Sequence, residues 1–150
     1  MSLKDTLNED LKTAMKAKDQ VALRTLRAIK SAILLAETAE GRQAGTALTE
    51  AEEIELLTRQ LKQRKDSMEQ YQTHGRPDLA EAEEAEIGIL QRYLPSQLEG
   101  EDLNEALRQI IAEVGASGPQ DFGLVMKAAS SSLKGRADGK AISAAVKQLL

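Results

Sequence analysis

TEAEEIELLTRQLKQRKDSMEQYQTHGRPDLAEAEEAEIGILQRYLP, residues 49–95, is the stretch that decides the fold. Thr49 with Glu52 three positions later forms a capping box, in which hydroxyl and carboxylate each accept from an amide at the other's position. Ile54, Leu57, Leu61, Met68 and Tyr71 then fall on one face at the helical period. His74-Gly75 stops that helix, with glycine supplying a left-handed cap. Pro77 and Asp78 open the next helix, expected to run through Leu79, Ala82, Leu90, Tyr93 and Leu94 and to stop before Pro95. The result is a long antiparallel helical hairpin.

Two charges interrupt its apolar faces. On a wheel of 100° per residue, Arg64 lies between Leu57/Leu61 and Met68/Tyr71, while Glu86 sits in the stripe of Leu79, Ala82, Leu90 and Tyr93. Both are about equally far from the turn at His74 to Pro77. The hairpin therefore predicts a partly buried Arg64–Glu86 ion pair, with Glu83 as the alternative acceptor. An Arg64 that binds phosphate is the competing reading. The structural one is preferred because an unpaired charge on a packed face costs several kcal/mol.

Working outward, Ser2 and Asp5 resemble a second capping box before Leu3, Leu7, Leu11 and Met15, which share one helical stripe. Asp19 can cap a helix carrying Leu26, Ile29, Ile33 and Ala36, and a polar loop follows around Gly41 to Gly45. Beyond Pro95 three shorter helices are expected: Asp102 to Val114, closed by Gly115; one from near Pro119 to about Leu133; and one after Asp138 to the C-terminus. The fold class is all-α, with an N-terminal helical domain over residues 1–95 and a small C-terminal helical domain over 96–150. Only 2% of residues are aromatic, in keeping with a helix-forming composition of Ala, Leu, Glu, Lys and Gln.

With no cysteine, disulfides and thiolate metal sites are excluded. The N-terminus is too polar for a secretory signal and the apolar run Ala32 to Ala36 is far too short to span a membrane, so a soluble cytoplasmic protein is expected. Enzyme signals are weak. His74 is the only histidine and sits at a helix end, and Glu81, Glu83, Glu84 and Glu86 read as a solvated acidic face rather than a metal site. Asp121-Phe122-Gly123 spells a kinase metal-binding tripeptide without the other kinase motifs, and Gly135 to Lys140 is one residue short of a phosphate loop. No catalytic residue, metal or cofactor is expected.

Charge is distributed in blocks beneath a net −4. Residues 1–33 carry seven bases and four acids, and residues 34–58 one base and six acids. From Pro119 onward five bases (Lys127, Lys134, Arg136, Lys140, Lys147) face two acids (Asp121, Asp138), giving +3. Lys134, Arg136 and Lys140 surround a turn into a helix N-terminus, where Asp138 is the expected N-cap. Gly123 is expected to let two helices approach closely. A basic surface with so few aromatics suits the phosphate backbone of folded RNA better than stacked single strands. Arg59, Lys62 and Lys65 form a second candidate contact.

Leu48-Thr49-Glu50-Ala51-Glu52-Glu53, Leu61 to Ser67, Gly75 to Ala80, Tyr93 to Leu98, Glu113 to Ser117 and Lys134 to Lys140, in this order, resemble the GatB/YqeY family over nearly the whole chain. The resemblance implies an all-helical architecture. It also implies kinship with the tail of the B subunit of the bacterial glutamyl/aspartyl-tRNA amidotransferase, which helps to hold tRNA. Family labels attach a carbon–nitrogen ligase activity with glutamine as amide donor. That activity is not carried over, because this chain has neither the B subunit's catalytic body nor a nucleophile for ammonia release. Leu124 stands where the family usually has a basic or polar residue, and Phe122 where it usually has methionine. The expected function is a tRNA- or structured-RNA-binding accessory module. The alternative is an adaptor that docks on an aminoacyl-tRNA synthetase or amidotransferase.

Overall fold

The computed structural model describes residues 2–150. Among them lie seven α-helices and one short 3-10 turn, with no strand. The chain divides into two compact units, Met1–Leu94 and Pro95–Leu150.

The first unit holds α1 (Leu3–Ala17), α2 (Gln20–Glu37), α3 (Glu50–Thr73) and α4 (Pro77–Gln91). Both capping boxes read from the sequence are formed, Ser2 with Asp5 and Thr49 with Glu52. The α1–α2 turn passes through Lys18 at φ +56°, a left-handed conformation uncommon for a residue with a Cβ. Asp19 then caps α2 by accepting from the Ala22 amide at 3.1 Å.

Helix α3 ends in a Schellman arrangement. The Arg76 amide donates to the Tyr71 carbonyl at 2.8 Å and the Gly75 amide to that of Gln72 at 3.4 Å, with Gly75 at φ +71°. Pro77 follows as the first residue of α4, where its missing N–H costs nothing.

The packed hairpins α1–α2 and α3–α4 are joined by contacts of α2 with both α3 and α4. Leu7, Leu26, Ile29, Leu57 and Leu90 are fully enclosed. Each such side chain contributes about 1.5–3 kcal/mol of hydrophobic stabilisation.

Two details of α4 differ from expectation. Its buried stripe consists of Ala80, Glu86, Ile87, Ile89 and Leu90, whereas Ala82 is exposed. The larger side chains Ile87 and Ile89 rotate the helix so that they, and not a methyl group, meet the core. The helix also ends at Gln91 rather than continuing to Leu94. Arg92, Tyr93 and Leu94 turn back on the carbonyls of Ile89, Leu90 and Gln91. A residue preceding proline disfavours the α conformation, so the last turn tightens before Pro95.

The second unit holds α5 (Gly100–Val114), the 3-10 turn Pro119–Asp121, α6 (Phe122–Ser132) and α7 (Gly139–Leu149). These three helices pack against one another around Leu107, Val125, Ala129, Ile142 and Val146. Gly115 closes α5 at φ +70°.

Candidate nucleic-acid interface

The five basic residues that follow Pro119 stand on α6, α7 and the turn between them. Helix α7 begins where Asp138 accepts from the Ala141 amide at 2.7 Å, the N-cap expected from the sequence. That carboxylate satisfies one of the unpaired N–H groups of the first turn. Lys140 and Lys147, seven residues apart, are both exposed and fall on one face of α7, about 10 Å apart along its axis. The Lys147 ammonium lies 5.9 Å from the centre of the Phe122 ring, at the start of α6. Helices α6 and α7 are therefore antiparallel, and the aromatic face helps to hold a cation in place.

Lys127 and Lys134 are exposed, the former on α6 opposite the Val125–Ala129 face. Arg136 is only half-exposed. Its Nε donates to the Ser96 carbonyl at 3.0 Å, and its own carbonyl accepts from the Leu98 amide at 2.7 Å. Gln97 completes this clasp by donating through Nε2 to the Gly135 carbonyl at 2.7 Å and to that of Pro95 at 2.9 Å. The segment Pro95–Leu98 thus grips the turn that presents Arg136, a relationship across forty positions that helical periodicity cannot reveal.

The unit is electrically lopsided. Residues 99–113, almost all in α5, carry five acids and one base, Arg108, which pairs with Glu101 at 2.6 Å and Glu105 at 3.4 Å. The α6–α7 side carries the +3. Asp121 spends its carboxylate locally, accepting from the Ser117 amide at 2.9 Å.

Gly123 requires a correction. It is exposed in the first turn of α6, and a Cβ there would meet nothing within 4 Å, so it is not a point of close helix approach. Ala129, by contrast, is fully buried in the core of this unit.

In the first unit, Arg59 pairs with Glu55 at 3.4 Å on the solvent side of α3, Lys62 is exposed and Lys65 half-buried. His74 caps α3, its Nδ1 donating to the Gln70 carbonyl at 2.8 Å.

The polar centre of that unit is a charge network. Glu86, only 7% exposed, is bonded through Oε2 to the Arg64 guanidinium and through Oε1 to Arg24 Nε at 2.8 Å. Glu83 stands 3.9 Å from Arg64, and burial, then the neighbouring Glu86 charge, pushes its carboxyl up from the ordinary range. Arg64 is thereby committed to carboxylates inside the bundle. Arg24 escaped the sequence reading, since it lies on the solvent side of α2 and reaches in from its end.

An all-helical chain with a charge-stitched four-helix unit and a basic edge on a three-helix unit is the class that this geometry defines. The chain matches the family described as Yqey-like protein over residues 4–150, and it belongs to that family. It is 32% identical over 148 residues to "Altered inheritance of mitochondria protein 41, mitochondrial" of Pyrenophora tritici-repentis, which covers 96% of this chain and 78% of that protein. The protein of the same name from Meyerozyma guilliermondii is 37% identical over 112 residues, covering 73% of this chain and 57% of the relative. That from Clavispora lusitaniae is 36% identical over 118 residues, covering 77% and 66%. Against these last two the chain spans less than two thirds of the relative's length.

The names correct the expectation of a cytoplasmic protein, because these relatives are all named as mitochondrial. A polar N-terminus argues only against a secretory signal, and the absence of cysteine does not separate one reducing compartment from another. Among the described residues no helix is long and apolar enough to cross a membrane.

Proposed function

We propose that this chain is an accessory module that holds tRNA or another structured RNA by its phosphate backbone, through the α6–α7 edge of the second unit. The observation that carries the reading is the shared face of Lys140 and Lys147 on α7, with Lys134 and Arg136 at the turn leading into it. Lysine and arginine contacts to phosphate position a nucleic acid without reading its sequence. The one aromatic ring beside these cations, Phe122, is engaged by Lys147 rather than offered to a base. The setting we propose is tRNA-dependent amide transfer, in which the module holds RNA for chemistry performed by a partner.

Filter binding with total tRNA, titrated at several salt concentrations, tests the reading. Micromolar binding at low salt is expected, and log affinity should fall linearly with log salt. K140A/K147A should reduce that slope by about two, with a uniform loss of affinity across RNA sequences. No micromolar binding at low salt would overturn the proposal.

A further inference from the structure

Between Leu11 and Ala36 the chain carries six bases and one acid, Asp19, whose carboxylate is spent on the cap of α2. Arg24 goes to Glu86. The other five, Lys12, Lys16, Lys18, Arg27 and Lys30, are all exposed. Lys30 donates through Nζ to Asn8 Oδ1 at 2.8 Å, which sets this side of α2 against the Asn8 side of α1. One turn from that bond toward the connection between the helices stand Lys12 on α1 and Arg27 on α2. The next turn of α1 brings Lys16, and Lys18 stands in the connection itself. Four residues of helix advance about 6 Å, so the five cations form one patch on the outer side of the hairpin.

Among the described residues, none of Lys12, Lys16, Lys18 and Arg27 is paired with a carboxylate, and the partner of Lys30 is neutral. Glu9, about a turn before Lys12, forms no ion pair with it. Helix α3 differs. There Glu55, Asp66 and Glu69 stand four residues from Arg59, Lys62 and Lys65 in turn, so each cation has an acid one turn away. Lys18 adds an independent sign. Among the described residues it is the one non-glycine with a positive φ, where glycine would be unstrained. Strained backbone that presents a cation at the tip of a hairpin points to a use for that side chain.

We infer that this α1–α2 face is a second contact for the phosphate backbone of the same RNA, an inference that rests on the function proposed above. Cations without a carboxylate partner meet phosphate with no ion pair to break first. A bound polymer offers phosphates to each unit, and two linked contacts on one chain strengthen each other through effective concentration. An anionic bilayer suits the face less well. Met15 is the one exposed large apolar side chain among the cations, and Leu34 and Leu35 lie beyond Lys30 toward the far end of the hairpin.

Filter binding of the full chain to total tRNA, at several salt concentrations, reads the contact. K12A/K16A/R27A should weaken binding about tenfold or more at low salt and reduce the salt slope by about two to three. Its thermal transition should stay in place, because all three side chains are exposed in the folded chain. K18G should bind about threefold more weakly and melt no lower than the wild type, since glycine relieves the backbone strain. R59A/K62A should lose less than about threefold, and a loss as large as that of the triple variant would overturn the choice of face. Wild-type binding that K140A/K147A weakens and K12A/K16A/R27A does not overturns this inference alone. No binding by the wild type overturns the proposed function, and this contact with it. Flotation with phosphatidylglycerol vesicles that is lost in the triple variant, while tRNA binding is kept, assigns the face to a bilayer and overturns the inference as well.

Discussion

Arg24 and Arg64, carried by different helices, close on opposite oxygens of a single carboxylate, that of Glu86. One acidic side chain therefore ties α2, α3 and α4 together at a point where only 7% of it meets solvent. The three members are unequal. Arg64 keeps 17% of its side-chain surface exposed and Arg24 keeps 59%.

Removing Glu86 strands two cations, one of them inside the bundle. E86A should lower stability by about 3 kcal/mol or more. R64A should cost less, because Arg24 still serves Glu86, and R24A least, because its guanidinium can return to water. Urea titration of the three variants checks the order E86A, then R64A, then R24A. Equal losses would mean that the network does not act as described.

Two carboxyls give the unit opposite pH signatures. Arg42 above all, then the Thr49 amide, hold the Glu52 carboxyl down at about 2. Its folded value lies below its unfolded one, so its stabilisation is complete above about 4.5 and is lost as pH falls toward 2. Glu83 is raised, so in the folded chain it favours the protonated form and stability declines as pH rises through its folded value. E52Q should flatten the acid limb of stability against pH, and E83Q should make the protein more stable than wild type at neutral pH. Thermal melts across pH 2–8 would show both.

Tyr93 donates its phenol proton to Asp10, linking the end of α4 to α1. Burial first, then that bond, raises the phenol above its ordinary range. In a Y71F background, where Tyr93 is the one tyrosine left, ultraviolet absorbance should show no phenolate until well above pH 10. Y93F should cost about 1 kcal/mol, and D10N in the same background should bring the transition down.

The Asp138 cap separates structure from charge in the second unit. D138A should destabilise this unit by about 1 kcal/mol through the lost bond to the Ala141 amide. It also deletes one of the two acids on the basic side, so RNA affinity at low salt should rise. Lower stability with tighter binding is the expected pair of results. Weaker binding would place Asp138 among the contacts themselves.

Local signals proved the most readable. Thr49 with Glu52, Gly75 before Pro77, and Asp138 each announce a helix end through chemistry confined to a few neighbouring residues. The Arg64–Glu86 pair was also legible, because a tight turn makes the hairpin register a matter of counting. Arg24 was not. Its meeting with Glu86 depends on how α2 crosses α4, and nothing near Arg24 in the chain encodes that crossing. The turn of α4 that exposes Ala82 was missed for a related reason. Its sequence offers two overlapping stripes, and the partner helix chooses between them. Arg136 was recognised as basic, while its grip on Ser96 depends on a segment forty positions away.

The clasp of Pro95–Leu98 on the Gly135–Arg136 turn has a practical consequence. A recombinant fragment cut at the first residue of α5 would keep every helix of the second unit and still leave its Gly135 and Arg136 carbonyls without their donors. Sound excision of that half therefore begins at Pro95, five residues upstream of where its helices start.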